Sequence, residues 1–153
     1  MLRYGDAMDG QDQCAMPERI CLIVDDEPAI RTYLRAILQR EQIRSLEADC
    51  ATQALGIIQK LDGRLDLIVC DIKMPGEMDG IDLAYSVRNS FPAVPVILIS
   101  GYGDVEAVKQ AATKFKFIQK PFVPEAILIA VRKVVGSVEA QASQTLIPDA
   151  GVS

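Results

Sequence analysis

Five strand-like runs alternate with five helix-like runs along a chain of 153 residues. That order predicts an α/β fold, a doubly wound five-stranded parallel sheet with helices on both faces. Runs one, three and four are wholly apolar, as strands buried on both faces must be, while runs two and five are half polar, as edge strands are. Strand order 2-1-3-4-5 satisfies that ranking. It is the flavodoxin-like order, and it sets the reactive crevice beyond the carboxyl ends of strands one and three.

The elements follow from local pattern. Arg19–Val24 is the first strand and runs into Asp25-Asp26-Glu27-Pro28, where proline suits a first helical turn because its missing N–H would have no partner there. The helix that follows carries Ile30, Tyr33, Leu34, Ile37 and Leu38 on one face. Ile43–Ala48 is a weaker, partly alternating strand. Residues 51–61 form an amphipathic helix through Ala54, Leu55, Ile58 and Leu61, closed by Asp62-Gly63. Strand three, at 65–70, delivers its apolar run directly to Asp71. A loop rich in Pro, Gly and acid spans 74–80, and a helix at 81–91 turns Leu83, Ala84, Val87 and Phe91 inward. Pro92 and Pro95 break the chain before strand four, Val96–Ser100. A short helix at 105–113, strand five at Lys116–Gln119 and a last helix at 124–138 complete the alternation. Residues 1–17 show no periodicity and are expected to be a flexible tail, and 137–153 to be the end of the last helix and a second flexible tail, leaving one domain at 18–136.

Composition excludes several functions. Half the residues are apolar and 24% charged, the balance of a globular domain. No apolar run approaches the ~18 residues that span a bilayer, and the first 17 residues lack the cationic and apolar segments of a signal peptide, so a cytoplasmic protein is expected. Net charge is −5 without a basic cluster, which argues against direct nucleic-acid binding. There is no histidine, which removes His metal sites, His general bases and Ser-His triads together. The four cysteines lack CxxC spacing and read as buried reduced thiols.

Alone, Asp71 reads as readily as a turn residue or a helix cap. Its neighbours across the sheet change that. In a parallel sheet all carboxyl ends share one edge, so strand one brings Asp25 and Asp26 there, strand three Asp71, strand four Ser100 and strand five Lys120. Three carboxylates in one small pocket repel each other unless a cation joins them. Hard oxygen ligands with room for water suit Mg²⁺. A carboxylate nucleophile, a divalent ion, an ammonium and a hydroxyl make a site for phosphoryl transfer onto Asp71. With no histidine and no spare carboxylate to activate water, the acyl phosphate should persist, which favours a switch over a hydrolase.

The segments Asp25-Asp26, Asp71-Ile72-Lys73-Met74-Pro75, Met78-Asp79-Gly80, Ser100-Gly101 and Lys120-Pro121-Phe122 occur in that order. Together, over residues 18–136, they resemble the receiver domain of two-component response regulators. The resemblance implies that Asp71 is the phosphoacceptor, supplied by a sensor histidine kinase or a histidine phosphotransfer protein. It implies that Asp26 binds Mg²⁺ directly, Asp25 largely through water, and Lys73 through its backbone carbonyl. Lys120 would pair with the phosphoryl group and Ser100 would swing in to bond it, while Phe117 matches the family's switch aromatic; from the residues alone, Phe117 reads equally as an edge-strand core side chain. Effectors or a second copy would use the face built from the fourth helix, fifth strand and fifth helix. Two departures stand out. The interval from Ser100 to Lys120 is short for the family, so the fourth helix is expected to be trimmed, and Lys73 and Tyr102 occupy the variable positions flanking the pocket. Tyr102 is expected to shield the acyl phosphate from water, the alternative being that both are solvated loop side chains.

Three other readings compete. The receiver could stand alone, with output through protein contacts because 17 residues beyond Gly136 are too few for an output domain, or be part of a longer regulator. The last helix is apolar over more than one face, which marks it as a dimer or partner surface unless a tail covers it. A phosphatase or phosphotransferase using an aspartyl-phosphate intermediate would need an acid–base carboxylate two residues after its nucleophile. Position 73 is lysine, so Asp71 lacks one; Asp25 has Glu27. A receiver that is never phosphorylated usually lacks a site residue, and none is missing.

Overall fold

The computed structural model describes residues 18–135. Five strands, β1 (Arg19–Val24), β2 (Ile43–Ala48), β3 (Leu67–Asp71), β4 (Val96–Ser100) and β5 (Lys116–Gln119), form one sheet in the order β2-β1-β3-β4-β5. Every pairing is parallel, with Val24 opposite Cys70, Asp71 opposite Ile99 and Ser100 opposite Gln119. Between the strands run α1 (Pro28–Gln39), α2 (Ala51–Lys60), α3 (Gly80–Ser90) and α4 (Val105–Ala111), and α5 (Pro124–Val135) follows β5. The expected order, helices and edge assignment hold: β3 and β4 are buried throughout, whereas β2 and β5 each expose part of their length.

Because strand side chains alternate between faces, each strand feeds two cores. Leu22, Val24, Ile68, Cys70 and Leu98 pack on α2 and α3 through Ala54, Ile58, Leu83 and Val87. Cys21, Ile23, Leu67, Val69, Ile97 and Ile99 pack on α1 and α5 through Leu34, Leu38, Ile127 and Val131. Asp71 keeps the parity of Leu67 and Val69, so it leaves the sheet on the α1–α5 side. Ser100 keeps the parity of Leu98 and faces the other way.

Several boundaries differ from the sequence reading. β3 begins at Leu67 rather than 65 and includes Asp71: Leu65 N–H turns back to the Gly63 carbonyl, and Asp66 meets Ile20 of β1 with its side chain in place of a second backbone bond, donating its N–H to the Ile20 carbonyl at 2.9 Å and accepting the Ile20 N–H on its carboxylate at 2.8 Å. α3 starts one residue early, at Gly80, on a reciprocal capping box in which Asp79 and Asp82 each accept the other's N–H at 2.9 and 3.1 Å. It stops at Ser90, with Phe91 as a half-buried C-cap that leaves helical dihedrals, at φ −137° and ψ 67°, just before Pro92. The short fourth helix is shorter still, seven residues after a 3₁₀ turn at Tyr102–Asp104. Tyr33 is exposed rather than buried, stacked at 5.7 Å on Phe122 across the mouth between α1 and α5. The apolar surplus of α5 is largely absorbed: Ile127, Leu128, Ala130 and Val131 enter the core, leaving Ile129 and Val123 exposed beside it. The expected tails and the end of the last helix beyond Val135 lie outside the described residues. Among the described residues no helix is long and apolar enough to cross a membrane.

Candidate functional site

The backbone ladders extend one residue past the strand ends, and that is what aims the polar groups. Asp25 N–H donates to Ala48 at 3.1 Å, Ile72 N–H to Ile99 at 3.1 Å, and Lys120 N–H to Ser100 at 2.8 Å. Asp25 and Asp71 therefore leave the neighbouring strands β1 and β3 level with each other, and Lys120 leaves β5 two residues further along, on the same side of the sheet. A carboxylate oxygen of each of Asp25, Asp26 and Asp71 lies within 4.8 Å of the others. Lys120 Nζ stands 3.4 Å from Asp71 Oδ2, 3.9 Å from Asp25 Oδ2 and 3.8 Å from Glu27 Oε1.

Burial and like charge shape the pocket's acidity. Asp25 is only 1% exposed, and desolvation pushes its carboxyl from the ordinary 3.8 up to about 6; Asp71 adds to the rise, while the Glu27 N–H and Lys120 oppose it. Asp71 is also raised by burial, partly offset by Lys120. The Lys120 ammonium is itself held above its usual range, because Asp71 and Asp25 outweigh the desolvation that would lower it. One ammonium thus serves three carboxylates. Asp25 Oδ2 is fully buried with no hydrogen-bond donor, a group that costs free energy unless a cation or donor reaches it. An all-oxygen acidic cluster with such an oxygen fits a hard divalent cation of the Mg²⁺ type.

Of the other anticipated residues, Ser100 is buried, and its hydroxyl makes a long 3.5 Å bond to the Ile118 carbonyl. Phe117 is half-buried opposite Leu98 and packs on the α2–α3 side of the core. The Lys73 ammonium pairs with Asp104 at 3.8 Å. Tyr102 is 85% exposed and lines a groove of about 490 Å³ with Ile30, Tyr33, Gly101, Lys120, Pro121 and Phe122.

Three contacts were not anticipated. Arg31 donates from α1 to the Asp25 carbonyl at 2.6 Å and pairs with Glu47 at 2.9 Å, pinning the end of β1. Glu27 shares Lys120. Asp104, only 4% exposed, accepts the Gly101 N–H at 2.7 Å. The acid inside Gly101-Tyr102-Gly103-Asp104 is a turn signal that could have marked the last of these.

A family model described as the response regulator receiver domain matches residues 21–132. The chain belongs to the receiver-domain family. The receiver is 36% identical to an NtrX-like response regulator of Rickettsia bellii over 117 residues, 73% of this chain and 24% of that one. It is 34% identical to the sensor kinase CckA of Brucella abortus, over 74% of this chain and 12% of that one. The crystal structure of the receiver domain of NtrX from Brucella abortus superposes with a TM-score of 0.68 at 30% identity, covering 75% of this chain and 97% of that one. The chain spans about a quarter of the length of the NtrX-like relative. Fold and family together assign it to phosphorylation-dependent two-component signalling.

Proposed function

We propose that this receiver accepts a phosphoryl group on Asp71 from a histidine kinase or histidine phosphotransfer protein, and that partners read the modified state by protein contact. Asp25, Asp26, Asp71 and the Lys73 carbonyl would hold Mg²⁺, which when bound supplies positive charge to the phosphoryl oxygens. An Asp71 carboxylate oxygen attacks phosphorus in line; the bond from phosphorus to the donor nitrogen or oxygen breaks, and its electron pair leaves with the donor. Lys120 then trades its contact with Asp71 for the phosphoryl oxygens. Ser100, held only by a 3.5 Å bond, is free to turn toward the same group, and Phe117 to follow it inward.

The observation that carries this reading is the 3.4 Å approach of Lys120 to Asp71 inside a cluster of three carboxylates. Incubation with Mg²⁺ and acetyl phosphate, followed by intact mass, tests it. Wild type should gain one phosphoryl group and Asp71→Asn none; no gain from acetyl phosphate or from any phosphohistidine donor would sink the proposal. Steady turnover of a phosphomonoester would instead favour the phosphatase alternative.

A second reading concerns context. The relatives include a sensor kinase and regulators four times longer than the matched segment, which supports a receiver acting as one module of a longer signalling protein.

A further inference from the structure

A second charged contact bridges the two loops that frame the acidic pocket. Lys73, two residues beyond Asp71, brings its ammonium to 3.8 Å from Asp104 Oδ1. Asp104 lies where the 3₁₀ turn after Ser100 passes into α4. The two partners are unequal: the carboxylate is 4% exposed and the lysine side chain 70%. The second Asp104 oxygen accepts the Gly101 N–H, so one carboxylate ties together the turn and the β3–α3 loop. Glycine at 103 is part of the fit, since a Cβ there would come within 2.6 Å of Lys73 Nζ.

We propose that Lys73 and Asp104 form a latch holding the 3₁₀ turn and the start of α4 in the unphosphorylated arrangement, and that a phosphoryl group on Asp71 opens it by drawing Lys73 away. The phosphoryl group carries a charge of about −1.5 to −2 against the single charge of Asp104, and it arises within two residues of the lysine. Removing one partner of a buried carboxylate leaves an uncompensated charge. The turn that carries Tyr102 and leads into α4 then has reason to rearrange. Both residues act as positioning groups. The trigger rests on the phosphoacceptor reading; the restraint in the unmodified protein does not.

Amide hydrogen exchange over residues 101–111, read alongside intact mass, tests the latch. Asp104→Asn keeps an acceptor for the Gly101 N–H while removing the charge, Lys73→Gln removes the cation from an exposed site, and Lys73→Arg restores it. Gly103→Ala keeps both charges but crowds the ammonium. In the unmodified protein, Asp104→Asn, Lys73→Gln and Gly103→Ala should exchange about two- to fivefold faster than wild type, the range of a partly exposed ion pair, and Lys73→Arg should not. Phosphorylated wild type should match those faster variants. Unchanged exchange in both Lys73→Gln and Asp104→Asn overturns the latch, as does phosphoryl gain by wild type without acceleration at 101–111. Absence of any phosphoryl gain overturns the phosphoacceptor reading together with the trigger, an outcome separable from failure of the latch alone.

Discussion

Asp71 and Gly80 constrain each other through the backbone. Gly80 N–H donates to the Ile72 carbonyl at 2.8 Å, and a Cβ on Gly80 would lie 2.1 Å from the Asp71 carbonyl oxygen. The start of α3 is thereby pressed against the end of β3, and only a residue without a side chain permits it. Gly80→Ala should destabilise the fold by about 1–3 kcal/mol, the usual cost of overpacking; a denaturant midpoint equal to wild type would contradict this. The convergence of Asp25, Asp26, Asp71 and Lys120 was legible in the sequence because a parallel sheet delivers every carboxyl end to one edge. Arg31 at the Asp25 carbonyl and Asp104 beneath Lys73 were not, because those contacts depend on the path of loops and the reach of long side chains. Period and spacing do not encode either.

Among the elements, α4 is the shortest helix that joins two strands, and it is entered through a 3₁₀ turn. Seven residues of α4 follow a single 3₁₀ turn, and neither makes the broad apolar contact that fixes α2 and α3. Tyr102 rides on that turn beside Lys120 in the shared groove. Tyr102→Ala should shorten the half-life of the phosphorylated protein by about threefold, equivalent to roughly 0.65 kcal/mol of barrier, as followed by loss of phosphoryl mass; an unchanged half-life would remove Tyr102 from the pocket's protection. The strands were easier to foresee than the helix ends. Apolar runs such as Val96–Ser100 announce burial on both faces, whereas the start of α3 depended on the Asp79–Asp82 box and the start of β3 on where Leu65 and Asp66 bond.

For the whole molecule, stability should follow the charge state of the pocket. The folded protein binds a proton at Asp25 more tightly than the unfolded chain does, since its carboxyl is raised from 3.8 to about 6. This contribution to stability is present below about pH 3.8 and is lost as pH rises through about 6 in metal-free protein. Mg²⁺ needs the ionised carboxylate, so its stabilising effect should grow across the same interval. At one hundred times its dissociation constant, bound Mg²⁺ should add about 2.7 kcal/mol, read as a rise in melting temperature that EDTA reverses. A rise no larger at pH 7.5 than at pH 5 would contradict the assignment of Asp25. The register of the sheet carries one more consequence. Asp25, Asp26 and Asp71 precede the break at Pro92 and Pro95, whereas Ser100 and Lys120 follow it, on strands that meet only as β3 pairs β4. A chain cut in that loop would leave the Asp71 carboxylate, the proposed phosphoacceptor, on one fragment and the Lys120 ammonium on the other. Neither half could take a phosphoryl group by this mechanism, so recovery of acceptance on mixing would report that the two pieces had found each other and rebuilt the sheet.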